Sequence, residues 1–357
     1  MKRNGVYVVA EAGVNHNGDL ACALELVDRA ADAGVDAVKF QTFDATKLAS
    51  RKAPKAIYQE QTTGKLESQL DMLRKLEMPR IWHHELRNRA QARGIQFLST
   101  AFDSDSLDFL ESLDMPFFKI PSGELTNGPL LWKFARKRRP LVVSTGMATL
   151  SEVEQALGVI AHAFNVDDEP RHVDEIWHGW SRSEWRLSLQ GRVTLLHCTS
   201  QYPTPMYEVN LAAMDTLRLA FGLPVGYSDH TEGVLIPVAA VARGAVIIEK
   251  HFTLDRTMPG PDHRASLEPD ELSNMVRDIR AISQALGDGV KSPQASEWDT
   301  RKAARQQVIV TRDLRAGHTF ARADLSTSRS GRGRPPTDLW GLVGSAAERD
   351  YEVGDIV

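Results

Sequence analysis

Eight short apolar runs, each closing on polar and chemically reactive residues, constrain this chain more than any other feature. They lie near residues 6–13, 36–42, 95–100, 117–124, 141–146, 193–200, 224–229 and 245–252. Amphipathic helical stretches separate them, for example 68–77, 83–93, 104–113, 151–164 and 211–221. Strands that alternate with helices predict a parallel sheet, and eight such units in about 250 residues have the size of a (β/α)8 TIM barrel. On periodicity alone an open doubly wound sheet is the alternative. Three segments repeat one rhythm: RAADAGVDAVKFQT (29–42), RAQARGIQFLST (89–100) and AVARGAVIIEKHFT (240–253). Each predicts a helix stopped by a left-handed glycine and followed by a buried strand.

The polar ends of the runs favour closure. They are Glu11; Lys39 and Gln41; Ser99 and Thr100; Lys119 and Ser122; Ser144 and Thr145; His197; Ser228, Asp229 and His230; and Glu249 and His251. In a closed barrel all eight carboxyl ends meet at one mouth, where barrel chemistry sits. An open sheet spreads them along an edge. The convergence predicts an enzyme.

Composition narrows the setting. The 357 residues are 42% hydrophobic and 25% charged, enough for a substantial core and too apolar for a disordered chain. The net charge of −4 gives no bulk attraction to nucleic acid or to an anionic membrane. The longest apolar run, 234–242, contains Pro237 and is too short to span a bilayer. The N-terminal MKRNGVYVVAEAG enters a strand without a signal-peptide core, and Cys22 and Cys198 cannot build a disulfide framework. A cytoplasmic protein is expected.

The barrel is expected over 1–287, where the last helical stretch ends at Gly287. DGVKSPQASEW (288–298) reads as a linker, and 299–357 as a small module with short β-like runs. Such a module is small to stand alone and is expected to dock on the barrel or on a partner chain. Between the fifth and sixth strands lies an insert, 167–185, with three of the seven tryptophans. It reads as a surface excursion that packs locally, or as the rim of a site or subunit contact.

Within the strand-end set, His230 and His251 close adjacent strands and form a candidate pair of ligands for one divalent cation; the alternative is two merely hydrogen-bonded imidazoles. His197 is a weaker candidate, and His83 and His84 read as part of a solvated helix. Lys39 and Lys119 each suit a Schiff base, a clamp on carboxylate or phosphate, or ordinary pairing with glutamates such as Glu124 and Glu249. Hydroxyls at Thr100, Ser122, Ser144 and Ser228 stand at the same level, and the SGE and STG turns let backbone amides face an anion. Two cations with several hydroxyls and no Walker-type loop point to a small phosphate-bearing molecule rather than a nucleotide. SRSGRGRP (328–335) lacks interleaved aromatics and reads as a solvated loop.

AEAGVNHNGD (10–19), VKFQTF (38–43), FKIPSGELTN (118–127), STGM (144–147), HCTSQYPTP (197–205), GYSDHT (226–231), EKHFTLDR (249–256) and GPDHRASLEP (260–269) together resemble the sialic acid synthase family. The ordered set spans nearly the whole chain and is specific, although each piece alone is not. The resemblance implies a (β/α)8 barrel followed by a small antifreeze-like (SAF, β-clip) domain. It implies condensation of phosphoenolpyruvate with an N-acylated hexosamine to a nine-carbon 2-keto sugar acid, with release of phosphate. The implied cofactor is a divalent metal, Mn2+ or Mg2+, on His230 and His251. Lys39, Thr100, Lys119, Ser122, Ser144 and Ser228 match positions that hold phosphoenolpyruvate. Glu11, Gln41, Tyr202, Glu249 and Asp262 match positions near the sugar, and Glu11, Lys39 and Lys119 carry the catalytic roles. Arg329 matches an arginine inserted into the other subunit's active site in a domain-swapped homodimer. The chain departs from the pattern at Ser200, where relatives often carry Asn, and at RSG (329–331), where RPG is usual. The stretch 55–73 looks closest to legionaminate-type synthases, whose acceptor is a 2,4-diacetamido-trideoxy sugar; N-acetylmannosamine is the other acceptor the resemblance allows. A Schiff-base or metal-dependent pyruvate aldolase on the same barrel and a non-catalytic sugar-binding protein are the rival readings.

Overall fold

The computed structural model describes residues 5–64 and 66–357; the start of the N-terminal segment and Lys65 within the 55–73 stretch lie outside them. The chain divides into two compact units, Met1–Gly287 and Asp288–Val357.

The first unit is an eight-stranded parallel barrel. Its strands are β1 (Tyr7–Gly13), β2 (Ala37–Thr42), β3 (Gln96–Ala101), β4 (Phe118–Ile120), β5 (Leu141–Ser144), β6 (Val193–His197), β7 (Val225–Asp229) and β8 (Ile247–His251). They are ordered β3-β2-β1-β8-β7-β6-β5-β4, and β3 packs beside β4 to close the ring. The strands are buried along nearly their whole length, because helices cover the outer face while side chains fill the interior.

The repeated rhythm has the expected backbone. Gly34, Gly94 and Gly244 adopt φ of +78°, +77° and +87°, each between a helix and the next strand. Only glycine enters that region freely, so each helix stops where the strand must turn inward. The helix before Gly34, Leu20–Asp32, starts at Asp19, whose carboxylate accepts from the amides of Ala21 and Cys22. Its buried face is Ala23, Leu26, Val27 and Ala30, at helical spacing. β4 is shorter than the run 117–124 implies. Pro121 has no amide to extend the ladder, and Ser122–Glu124 turns into a 3-10 helix.

The tryptophan-rich insert folds into two short helices, Val173–Trp180 and Ser183–Leu187, laid on the outer helix Leu150–Asn165. The Trp180 indole donates to Glu154 at 2.8 Å, and the Trp185 ring meets His162 edge-on at 5.4 Å. A Cβ on Gly179 would lie 1.9 Å from that ring, so the glycine is what lets the two helices approach.

His83 departs from the expected solvated helix. It is fully buried in helix Arg80–Ala92, on the same stripe as Leu86 and Ala90, while His84 faces out. The spacing 83, 86, 90 carries that stripe in the sequence, but the paired histidines obscure it.

The second unit pairs β9 (Gln306–Val310) antiparallel with β10 (Leu325–Arg329). It has its own small core, centred on Val308, Val310, Phe320, Leu325 and Tyr351. Buried Asp324 ties it together by accepting from Arg312 at 2.7 Å, His318 at 2.8 Å and the Ala321 amide at 2.8 Å. Among the described residues no helix is long and apolar enough to cross a membrane.

Candidate active site

The parallel register sets the strand-end side chains at one level. Glu11 lies opposite Lys39 on β2 and His251 on β8, Gln41 opposite Thr100, and Ser228 opposite Glu249. They surround a cavity of about 440 Å³ at the carboxyl end of the barrel. Glu11, Lys39, Gln41, Thr100, Lys119, Ser122, Ser144, Ser200, Tyr202, Ser228, His230, Glu249, His251 and Asp262 all line it. Arg329 belongs to the second unit, exposed at the end of β10.

On the cavity floor two buried lysines alternate with two buried glutamates. The Lys39 ammonium lies 2.5 Å from Glu11 and 3.6 Å from Glu249, and donates to Thr100 at 3.0 Å. Lys119 pairs with Glu249 at 3.1 Å, and Ser228 donates to the same carboxylate at 2.8 Å. Glu124, the other expected partner, instead bonds Asn127 away from the cavity. Burial pushes Lys39 down, but Glu11 and Glu249 outweigh it and hold the ammonium charged. Burial likewise pushes Glu249 up, yet Lys119 and Lys39 keep its carboxyl well below the usual range. Glu11 goes the other way: burial and the charge of Glu249 raise it despite Lys39. The floor thus holds one firmly ionised carboxylate and one suited to accept a proton.

Beside Lys119 lies a pocket of hydroxyls. The Gly146 amide donates to Ser122 Oγ at 3.0 Å, and Cys198 Sγ is 3.2 Å from the same oxygen. A Cβ on Gly146 would stand 2.4 Å from Ser200 Oγ, so no larger residue fits there. Ser144 Oγ is buried without a hydrogen-bond partner and faces the same space. Buried polar atoms are rarely left so, and a bound anion would satisfy it.

The two histidines occupy the other side, with ring centroids 5.6 Å apart. His230 Nδ1 is 2.7 Å from the Thr199 carbonyl, which can only accept, so Nδ1 carries the proton and Nε2 is the acceptor. That Nε2 receives the Tyr202 hydroxyl at 3.1 Å. His251 Nδ1 is buried with no hydrogen-bond partner, 4.0 Å from Asp262. Burial lowers both imidazoles, His251 further under the charge of His230, and so keeps them neutral. Asp262 is pushed up to about 7 by burial and by Glu11. Two neutral imidazoles, one with an unpartnered nitrogen, are a donor set a divalent cation takes. Among the described residues no group of three or more His, Cys, Asp and Glu side chains gathers to hold one by protein alone. Substrate and water would complete its shell. His197 is no ligand of this set; its Nε2 donates to the Val209 carbonyl.

One wall has no signal at the strand ends. Tyr58 stacks on Tyr202 with centroids 5.0 Å apart, and Tyr202 lies 4.2 Å from the His230 ring. Met72, Leu73 and Leu76 of helix Gln69–Leu76 extend that wall. They come from a long excursion after β2, and only the helical apolar spacing in 68–77 hinted at a buried face.

A closed parallel barrel with paired cations, hydroxyls and imidazoles at its carboxyl mouth defines an enzyme that handles a small anionic substrate. The NeuB family model matches residues 26–291. The chain is 45% identical over 350 residues to the N,N'-diacetyllegionaminic acid synthase of Campylobacter jejuni, covering 98% of each protein. It is 43% identical over 348 residues to the enzyme of the same name from Legionella pneumophila, covering 98% of this chain and 92% of that one. A crystal structure of N-acetylneuraminic acid (sialic acid) synthetase from Leptospira borgpetersenii superposes with a TM-score of 0.67 at 34% identity, over 84% of this chain and 91% of that one. The chain belongs to the NeuB family.

Proposed function

We propose that this chain condenses phosphoenolpyruvate with an N-acylated amino sugar, giving a nine-carbon 2-keto sugar acid and inorganic phosphate. The acceptor we favour is a 2,4-diacetamido-trideoxy mannose, as the names of the two bacterial relatives indicate. The observation that carries the reading is the cavity floor, where two buried lysines, hydroxyls and a raised carboxyl share one space.

Lys119, Ser122, Ser144, Ser200 and the Gly146 turn would take the phosphate, and Lys39 with Thr100 the carboxylate. Carbon 3 of phosphoenolpyruvate then attacks the open-chain aldehyde and leaves positive charge at carbon 2. Glu11 accepts a proton from the water that adds there, and its carboxylate steadies the cation. The resulting phosphate hemiketal expels phosphate, whose developing charge the two lysines stabilise. Gln41, held to Glu11 at 3.2 Å, with Tyr202 and Asp262, would position the sugar. His230 and His251 would hold Mn2+ or Mg2+, which supplies Lewis-acid polarisation of the aldehyde. A Schiff-base route is disfavoured because both ammonium groups are ion-paired to buried glutamates, Lys39 to Glu11 and Lys119 to Glu249, and a protonated amine is no nucleophile.

On the resemblance of residues 295–357, the second unit is proposed as an SAF domain that delivers Arg329 to a partner's active site in a domain-swapped homodimer. A cytoplasmic setting accords with such small-molecule chemistry. The deciding experiment measures phosphate released from phosphoenolpyruvate with the diacetamido-trideoxy sugar, with N-acetylmannosamine, and with no acceptor. Acceptor-dependent release is expected; its absence with every amino sugar would refute the reading.

A further inference from the structure

The cavity has two unlike sides. Its floor is charged, but the wall above it joins a separate apolar cluster of Val14, Phe43, Met72 and Leu76, with Leu48, Leu73 and Phe102 packed against it. That wall is held in place rather than laid over the mouth as a free loop. Gly18, at φ +73°, comes so close to the Lys75 carbonyl that a Cβ would sit 2.8 Å away. The buried Lys55 ammonium donates to Thr63 at 2.9 Å, to the Gly64 carbonyl at 3.1 Å and to Glu67 at 3.2 Å, knotting the approach to the helix. Thr63 in turn reaches Met72 Sδ at 3.6 Å.

A polyhydroxylated acceptor gains nothing from such a surface, since each hydroxyl against it loses water without finding a partner. The reacting carbonyl must face the charged floor, so the far end of the sugar falls toward the wall. The only polar side chain that helix Gln69–Leu76 offers the cavity is Gln69, whose amide has no partner among the described residues and suits an acylamino group. We infer that Met72 and Leu73 are specificity-determining residues that receive a methyl group at carbon 6 of the acceptor and disfavour a hydroxymethyl group there. The inference rests on the synthase reading above and adds which residues choose the sugar.

The test compares two acceptors that differ by one oxygen, 2,4-diacetamido-2,4,6-trideoxymannose and its 6-hydroxy counterpart. An apolar pocket rejects an added hydroxyl by at most about 100-fold, so the wild type should favour the deoxy sugar about 10- to 100-fold in kcat/KM. Leu73→Asn and Met72→Gln should bring that ratio to within about threefold of unity, by the same reasoning. The KM for phosphoenolpyruvate should stay unchanged. Leu73 is only half-buried, so Leu73→Asn decides the matter if Met72→Gln fails to fold, as a melting curve will show. A general structural loss would depress both acceptors equally and leave the ratio intact, which overturns the inference. A wild-type ratio near one also overturns it. Turnover with N-acetylmannosamine but with neither of these sugars overturns the inference alone, whereas turnover with none of the three refutes the synthase reading itself, and the wall falls with it.

Discussion

Lys119, Glu249, Lys39 and Glu11 alternate and balance one another's charge, so each substrate anion must compete with a glutamate. Lys119 is the clearest case, because among the described residues its one ion-pair partner is Glu249 and it stands beside the hydroxyl pocket. One charge-assisted contact is worth about 1.5–3 kcal/mol, so Lys119→Ala should raise the KM for phosphoenolpyruvate about 10- to 100-fold. The KM for the sugar should move far less. Initial rates with each substrate varied in turn will separate the two, and equal effects would make the lysine structural. The imidazoles give a second expectation. His230→Ala or His251→Ala should abolish turnover, and a chelator should silence the wild type until Mn2+ or Mg2+ is restored. Full activity after thorough chelation would sink the metal role.

At the scale of elements, the loops over the barrel mouth are anchored by histidines that must stay neutral. Burial lowers His16, His83 and His263 each to about 4. His83 sits under Thr42 at the end of β2, at 2.7 Å, and His263 joins Thr253 at 2.7 Å to Asn17 at 3.1 Å. Between about pH 4 and the ordinary 6.5, the unfolded chain binds a proton at each that the folded chain refuses. Stability should therefore rise with pH across that window, by about 1.4 kcal/mol per unit for each histidine less about the same amount for Asp262, whose raised carboxyl holds a proton only in the folded chain. Urea unfolding at several pH values will show the slope, and His83→Gln should reduce it. A stability flat from pH 4.5 to 6.5 would contradict the assignment. The same elements show what a sequence makes legible. The strands and their polar ends were readable because a buried parallel strand leaves a continuous apolar run, and register then does the rest. The wall from Tyr58 to Leu76 was not, since its side chains meet the cavity through packing between loops that no local period encodes. His83 was hidden for a related reason: a polar residue on a buried stripe is explained only by its distant partner, Thr42.

Over the whole molecule, each unit carries its own apolar core, so the barrel is expected to fold without the second unit. Ending the chain at Gly287 should leave a cooperative melting transition with little synthase activity, if Arg329 completes the site as proposed. After this arginine Ser330 donates to the Arg332 carbonyl at 3.0 Å, and Gly331 turns at φ +75°. That bond closes the turn. A guanidinium presented there suits the acyl carbonyl of the sugar, a contact that favours N-acylated acceptors over plain hexoses. Arg329→Ala and Glu11→Ala should each be nearly inactive alone. When the two are mixed under conditions of subunit exchange, one site of every heterodimer pairs an intact barrel with an intact arginine, and part of the activity should return. Phosphate release against mixing time measures it. Heterodimers that form yet stay inactive would show that Arg329 does not act across the dimer, leaving the second unit a structural cap.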